Sequence, residues 1–404
     1  MVTKRELRSS CLSLRHTNGD VVGQTVRSLA LQILRSGTEK GMMNDSGLRY
    51  LIEKLSPTMA RNLWGPELTE ASRALLSADS LVRRGFRLQV LLALCAAGAE
   101  FDAEETVPAG VPVYCGGVRR RFDREKTFAF RAGSLIHRPC AQTGDRSQNS
   151  LERQRTSLGY TCQTWSYGIS FLDDTYSLIG TQFAADAPFQ LDHAAMHRYL
   201  PDLQAALNSL SAGGAGLLEW VTNVVRIVYL LEATPGRLET GASPQFAGGI
   251  RLSVPCWSAV VGEGLVHEAS HQYFYILDLA TPLAIGGDKG AAAVWSPLRQ
   301  CLRPCWRVLL GFHAYLSILM YYTDILSRGD ISDTPKEIVE ERGNECVELL
   351  RETVKSLDGA GELMTSDGLA FYELMRAEFR AVSSRSSVVL RGAERTNSAV
   401  TPQL

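Results

Sequence analysis

The sequence predicts an α+β chain, mainly helical with a small sheet, in which a metal-binding helix packs beside a second long helix. Three observations predict it. Apolar residues recur at helical spacing over most of residues 20–98 and again from Pro304 to about residue 381. Between these regions, β-rich runs are short and broken by Gly and Pro. The third is the stretch Leu265-Val266-His267-Glu268-Ala269-Ser270-His271, a His-Glu-x-x-His pattern. On a helix, positions i and i+4 share a face, so His267 and His271 can both turn an imidazole toward one ion.

Composition bounds the rest. A chain of 404 residues has room for two or three domains, and 45% hydrophobic with 21% charged residues describes a globular protein with ample core. A net charge of −1 argues against a general nucleic-acid binder. The opening Met1-Val-Thr-Lys-Arg-Glu-Leu-Arg has no apolar core of signal-peptide type. No apolar run reaches a membrane span, since His313 interrupts even residues 308–322. Nine scattered cysteines, an odd number, suit reduced thiols in a cytoplasm. Cys301 and Cys305 have the wrong spacing for a zinc ribbon and read as structural.

Taken in order, Val22, Val26, Leu29 and Ile33 keep a helical period, as do Leu81, Leu88, Leu91 and Cys95. From Thr106 to Ile136 short strands and hairpins are expected, and the basic run Val118-Arg-Arg-Arg-Phe122 reads as a solvated strand edge. This makes residues 1–138 an N-terminal helical region with short strands. Residues 139–160, polar and rich in Gln, Arg and Ser, read as a linker or long loop. Residues 161–382 form the expected catalytic domain, and 383–404 a disordered tail. Within 161–382, residues 165–179 and 224–230 look like strands, and Asp173-Asp174 reads as a turn. A helix over 192–210 should break or restart at Pro201. That helix carries a second i, i+4 pair, His193 and His197, which lacks the adjoining Glu and is read as a decoy. Gly213-Gly-Ala-Gly216 has the wrong spacing for a dinucleotide fingerprint. A strand over 249–255 precedes the motif helix. Further helices are expected from Pro304 to about 326, over 335–357 and over 361–381.

A catalytic metal needs a third protein ligand and an open position. Phe274 and Leu277 stand where one extended zinc-protease pattern wants Gly and His. No Glu occurs between Glu268 and Glu337, which removes another. Asp278 and Asp288 remain, and the only later histidine is His313, within an apolar helix. It is the favoured third ligand; a core histidine is the plain alternative. Arg299 and Arg303 come just before that helix, and an arginine beside a metal can clamp a carboxylate through two parallel hydrogen bonds. That suits a dicarboxylic co-substrate, although capping of helix ends would explain the same residues.

Assembled, the blocks 249–255, Leu265-Val-His-Glu-Ala-Ser-His271, Trp295-Ser-Pro-Leu-Arg299, Arg303-Pro304 and Gly311-Phe-His-Ala-Tyr315 resemble one family. It is the His-Glu-x-x-His-type 2-oxoglutarate-dependent peptide β-hydroxylases of bacterial ribosomal-peptide modification. The resemblance covers about residues 224–325, with a weaker echo near 169–174. Cys301 and Cys305, which bracket the Arg-Pro step, depart from the pattern, and residues 1–160 align with nothing in it. It implies Fe(II) held by His267, His271 and His313, with 2-oxoglutarate and O2 as co-substrates. Arg303, Arg299 and Ser296 would lie on the co-substrate side, and Glu268 would orient a ligand or water. The partner implied is a precursor peptide, with no nucleic acid and no membrane. A zinc peptidase using Glu268 as general base is the alternative, and a non-catalytic peptide-binding protein with a structural metal is a third.

Overall fold

The computed structural model describes residues 3–12, 19–42, 46–115, 118–121, 124–132, 134–137, 163–164, 170–173, 193–212, 216–232, 239–244, 246–254, 256–290, 294–329 and 334–390. The chain is mainly helical with small sheets, as its periodicity predicts. It divides into two compact units. One comprises residues 1–7, 18–199 and 222–254; the other comprises 8–17, 200–221 and 255–404. The chain passes between the units at residues 7–8, 17–18, 199–200, 221–222 and 254–255, and the 139–160 stretch lies outside the described residues.

The first unit opens with helices. After α1 (Lys4–Leu12), which runs from one unit into the other, come α2 (Gly19–Glu39), α3 (Ser46–Lys54), α4 (Pro57–Arg61), α5 (Pro66–Leu76), α6 (Ser80–Arg83) and α7 (Phe86–Ala96). Phe86, Leu88, Leu91 and Leu94 of α7 are fully buried. The helix α4 begins on a proline, and the Ser56 hydroxyl accepts the Met59 N–H to cap it. Five short strands follow: β1 (Ala103–Val107), β2 (Pro112–Cys115), β3 (Val118–Arg121), β4 (Lys126–Arg131) and β5 (Ser134–His137). β1, β4 and β5 make an antiparallel sheet, and β2 and β3 a hairpin, in line with the short strands and hairpins expected of this region.

The five-stranded sheet of this unit has the order β6-β7-β8-β10-β9. Its strands are β6 (Gln163–Thr164), β7 (Ser170–Asp173), β8 (Ile227–Glu232), β9 (Thr240–Ala242) and β10 (Gly249–Val254). β8 runs parallel to both β7 and β10, and the outer strands are antiparallel. Val228, Tyr229 and Leu230 are all buried, as a central strand covered on both faces requires. Two expectations shift here. The strand expected from Val224 starts at Ile227, because Val224 closes α9 (Leu217–Val224) and is buried as part of its apolar face. Of residues 165–179, those described as strand are Ser170–Asp173; Asp174 lies outside the described residues.

In the second unit the cores of helices meet one another. α8 (His193–Ala212), shared between the units, runs through Pro201 without the expected break. Its fully buried Leu203, Ala206, Leu207 and Leu210 keep one helical face beyond the proline, so packing outweighs the lost backbone bond. The side chains of His193 and His197 lie outside the described residues. α10 (Ser258–Ala280) is buried almost all round, the mark of a core helix. β11 (Val294–Ser296) and β12 (Cys301–Arg303) form an antiparallel hairpin. Gln300 closes it in the left-handed region at φ 50°.

α11 (Cys305–Arg328) packs against α10, α12 (Lys336–Asp358) and α13 (Ser366–Leu390). By length and composition α11 is the one helix among the described residues that could cross a membrane, yet most of it is buried within the protein. α13 continues to Leu390, so the helix extends past the Ser383 at which disorder is expected to begin; residues 391–404 lie outside the described residues. Tight approach marks this core. A Cβ at Gly262 would strike the Tyr321 hydroxyl, which donates instead to the Ala259 carbonyl at 3.1 Å.

Candidate metal centre

Because α10 is apolar on nearly every side, its polar residues are exceptions that need partners. Glu263, His267 and His271 follow at i, i+4 and i+8, one stripe of the helix. His267 Nε2 and His271 Nε2 lie 3.0 Å apart, with the rings inclined at 70°. Two imidazole nitrogens so placed can accept one ion as neighbouring ligands. Both rings are held neutral. Desolvation pushes His267 down to about 4, Glu263 opposes the shift and Arg299 adds to it. His271 lies well below its ordinary value through burial first, then His267, His313 and Arg307. Neutral imidazole is the form that binds metal.

Glu268 is only 2% exposed and comes round beside the pair. The ligand atoms of His267, Glu268 and His271 all lie within 4.8 Å of one another, and no other group of this kind occurs among the described residues. Two imidazoles and a carboxylate fit a first-row divalent ion, with coordination positions left for water or substrate. The rings of Tyr315 and Tyr275 flank the two histidines, 5.7 Å from His267 and 6.3 Å from His271. Burial raises both phenols, so both stay protonated and available as donors.

The structure brings two of the three expected histidines together and leaves His313 out of the group. That residue is fully buried in α11, with Nε2 3.0 Å from the Cys11 carbonyl. Its ring packs beside Phe274 and Phe371 at 6.2 and 5.5 Å, the setting of a core histidine. Burial lowers it to about 4, and the backbone carbonyls of Cys11 and Ser270 work against that shift. The other candidates are engaged elsewhere. The Asp278 carboxylate accepts the Leu283 N–H at 3.0 Å, and Asp288 pairs with Arg307 at 3.0 Å.

The three expected co-substrate residues sit together on the hairpin. Ser296 is buried at the end of β11, and its carbonyl accepts the Arg299 N–H at 3.1 Å. Arg299 is exposed in the turn, and Arg303 is half-buried at the end of β12. Burial lowers Arg303, and the nearby Arg307 and Arg299 lower it further, which marks a cluster of like charge. Arg307 alone of the three has a carboxylate partner among the described residues.

Glu263 is the residue that sequence reasoning missed. Its carboxylate accepts bonds from Arg342 Nε and Nη2 at 2.5 and 2.8 Å and from the Tyr322 hydroxyl. One carboxylate thus ties α10 to α11 and α12, one turn before His267. The available signal was its spacing, four residues before His267 and eight before His271. No protein-family model matches the chain, and no curated protein aligns with it at a significant level.

Proposed function

We propose that the protein is an Fe(II)/2-oxoglutarate-dependent oxygenase that hydroxylates a side-chain carbon, the β carbon, of a ribosomally made peptide. The observation that carries this reading is the pair of guanidinium groups, Arg299 and Arg303, without acidic partners among the described residues, the first of which acts on His267 of the two-histidine cluster. A dicarboxylate has one end for the metal and one that needs a cation. Arg303, two residues before α11, suits the far carboxylate, with Ser296 on the partner strand of the same hairpin. When bound, iron would supply O2 activation at the expense of 2-oxoglutarate. His267 and His271 would hold it. The third donor is Glu268 by the grouping of side chains, or His313 by family resemblance. The two tyrosines would border the substrate side.

The test is incubation of iron-loaded protein with 2-oxoglutarate, O2 and candidate peptides, with a mass gain of one oxygen and equivalent O2 uptake expected. Absence of any 2-oxoglutarate-dependent O2 uptake overturns the reading.

A zinc peptidase is the second reading, favoured by the position of Glu268 beside both histidines, where a general base would activate a metal-bound water. Glu268→Gln separates the possibilities. A peptidase keeps its zinc and loses cleavage. An oxygenase liganded by His313 keeps its iron and measurable 2-oxoglutarate turnover. One liganded by Glu268 loses iron.

A further inference from the structure

We infer that the β11–β12 hairpin is a docking edge for an extended peptide that alternates acidic and apolar side chains. What happens to the peptide there rests on the oxygenase reading; the docking does not.

The hairpin leaves large apolar side chains in water: Trp295 is 48% exposed, Leu302 57% and Leu298 42%. Trp295 and Leu302 are cross-strand partners, so their side chains adjoin on one face. The opposite face is already used, since Val294 and Ser296 are buried and β11 packs on α11 and α12. The exposed face is therefore not a loosely folded core. The charge of the hairpin as a whole has one sign, although Arg303, paired with Val294, lies on the other face of its strand from Leu302. Residues 294–307 contain Arg299, Arg303 and Arg307 and no Asp, Glu or Lys, and only Arg307 is matched by an acid. Tryptophan and arginine without lysine or glutamate is the composition of a binding hot spot.

Three further points fix the occupant. β12 pairs only with β11 among the described residues, so its outer edge is open to an added strand. An extended chain turns alternate side chains the same way, which matches its apolar residues to Trp295 and Leu302 and leaves its acids for the exposed Arg299 in the turn. A second copy of this hairpin would set arginine against arginine, and like charges directly opposite are unfavourable.

The experiment measures binding to the full-length protein of a short fluorescein-labelled peptide alternating glutamate and leucine, against its lysine–leucine counterpart. We expect at least about tenfold preference for the acidic peptide, and about tenfold or greater loss in Trp295→Ser and in Leu302→Ser at unchanged far-UV dichroism. Arg299→Glu should turn the preference toward the lysine peptide, which keeps the test sharp if an apolar variant misfolds. His267→Ala/His271→Ala should bind as the wild type does, whatever its turnover. Equal affinity for both peptides, or acidic binding that survives Trp295→Ser and Leu302→Ser, overturns the inference. So does self-association of the wild type that Trp295→Ser abolishes, because the patch would then belong to a second copy. Oxygen insertion into peptides that ignore Trp295→Ser would overturn docking and leave the oxygenase reading intact. Acidic binding without any iron chemistry would do the reverse.

Discussion

Arg342 and Arg303 both belong to the helical unit that carries the metal centre, yet their surroundings are opposite. Arg342 meets Glu263 through two nitrogens and adds the Tyr322 hydroxyl at 3.0 Å, and the carboxylate raises it above its ordinary value. Arg303 has other arginines for neighbours, and both burial and those charges lower it. The first arrangement is complete without any visitor. The second becomes favourable only when an anion arrives. A charge that builds the fold brings its counter-charge in the same chain; a charge reserved for a ligand does not.

The strongest way to break this comparison is at the two histidines of the same unit. His267→Ala and His271→Ala should each abolish metal binding and turnover while leaving the fold intact, because each removes one of few ligands. Metal content measured on the folded variants checks it, and His313→Ala in the same series decides whether the core histidine also binds. Glu263→Ala tests the completed charge. It strands the Arg342 guanidinium and the Tyr322 hydroxyl, and should cost about 2–4 kcal/mol in denaturant unfolding, below the loss of a fully buried pair because Arg342 is about a third exposed.

Arg303→Met tests the waiting charge. It should raise the apparent KM for 2-oxoglutarate roughly tenfold to a hundredfold, the worth of a charge-assisted contact, with melting temperature and iron content unchanged. Lysine there should rescue only in part, since a point charge lacks the planar fork. A stability loss in Arg303→Met, with KM untouched, would place Arg303 in the same class as Arg342.

The last test is a slope with pH. His267 and His313 are held near 4 when folded, below the ordinary value of 6.5 that they regain on unfolding. The unfolded chain therefore binds more protons in that window. Stability of the metal-free protein is fully present above about 6.5 and declines as pH falls toward 4. Urea titrations at several pH values measure it, and His313→Gln should flatten the decline.

How much of this was legible in the sequence follows from the range of each interaction. His267 and His271 are four residues apart on one helix, so local geometry alone brings them together. The helices from Pro304 onward were legible for the same reason, as was the mainly helical character. The partner of Glu263 is Arg342, far along the chain on another helix, and no period in the sequence encodes that meeting. His313 shows the same gap from the other side. Its chemistry suits a ligand, but its ring faces the Cys11 carbonyl, a group in a residue 302 positions away. Pro201 was misleading because a local rule was outweighed by the buried face of Leu203, Leu207 and Leu210. Trp295 and Leu302 were visible as residues, but only strand pairing sets them side by side.

The 3.0 Å separation of the two imidazole nitrogens has a consequence for which ion the protein carries. The pair is preformed on the buried helix α10, so loading requires no folding step and offers little geometric discrimination. For such donors affinity climbs from manganese through iron to copper, with zinc close behind. An ion taken up by the pair in a cell would therefore follow the supply there, and zinc or copper, once seated, would outlast iron. Chelation followed by anaerobic reloading should change the metal in the site without changing the fold, so an inactive preparation would report on its metal diet and not on its chemistry.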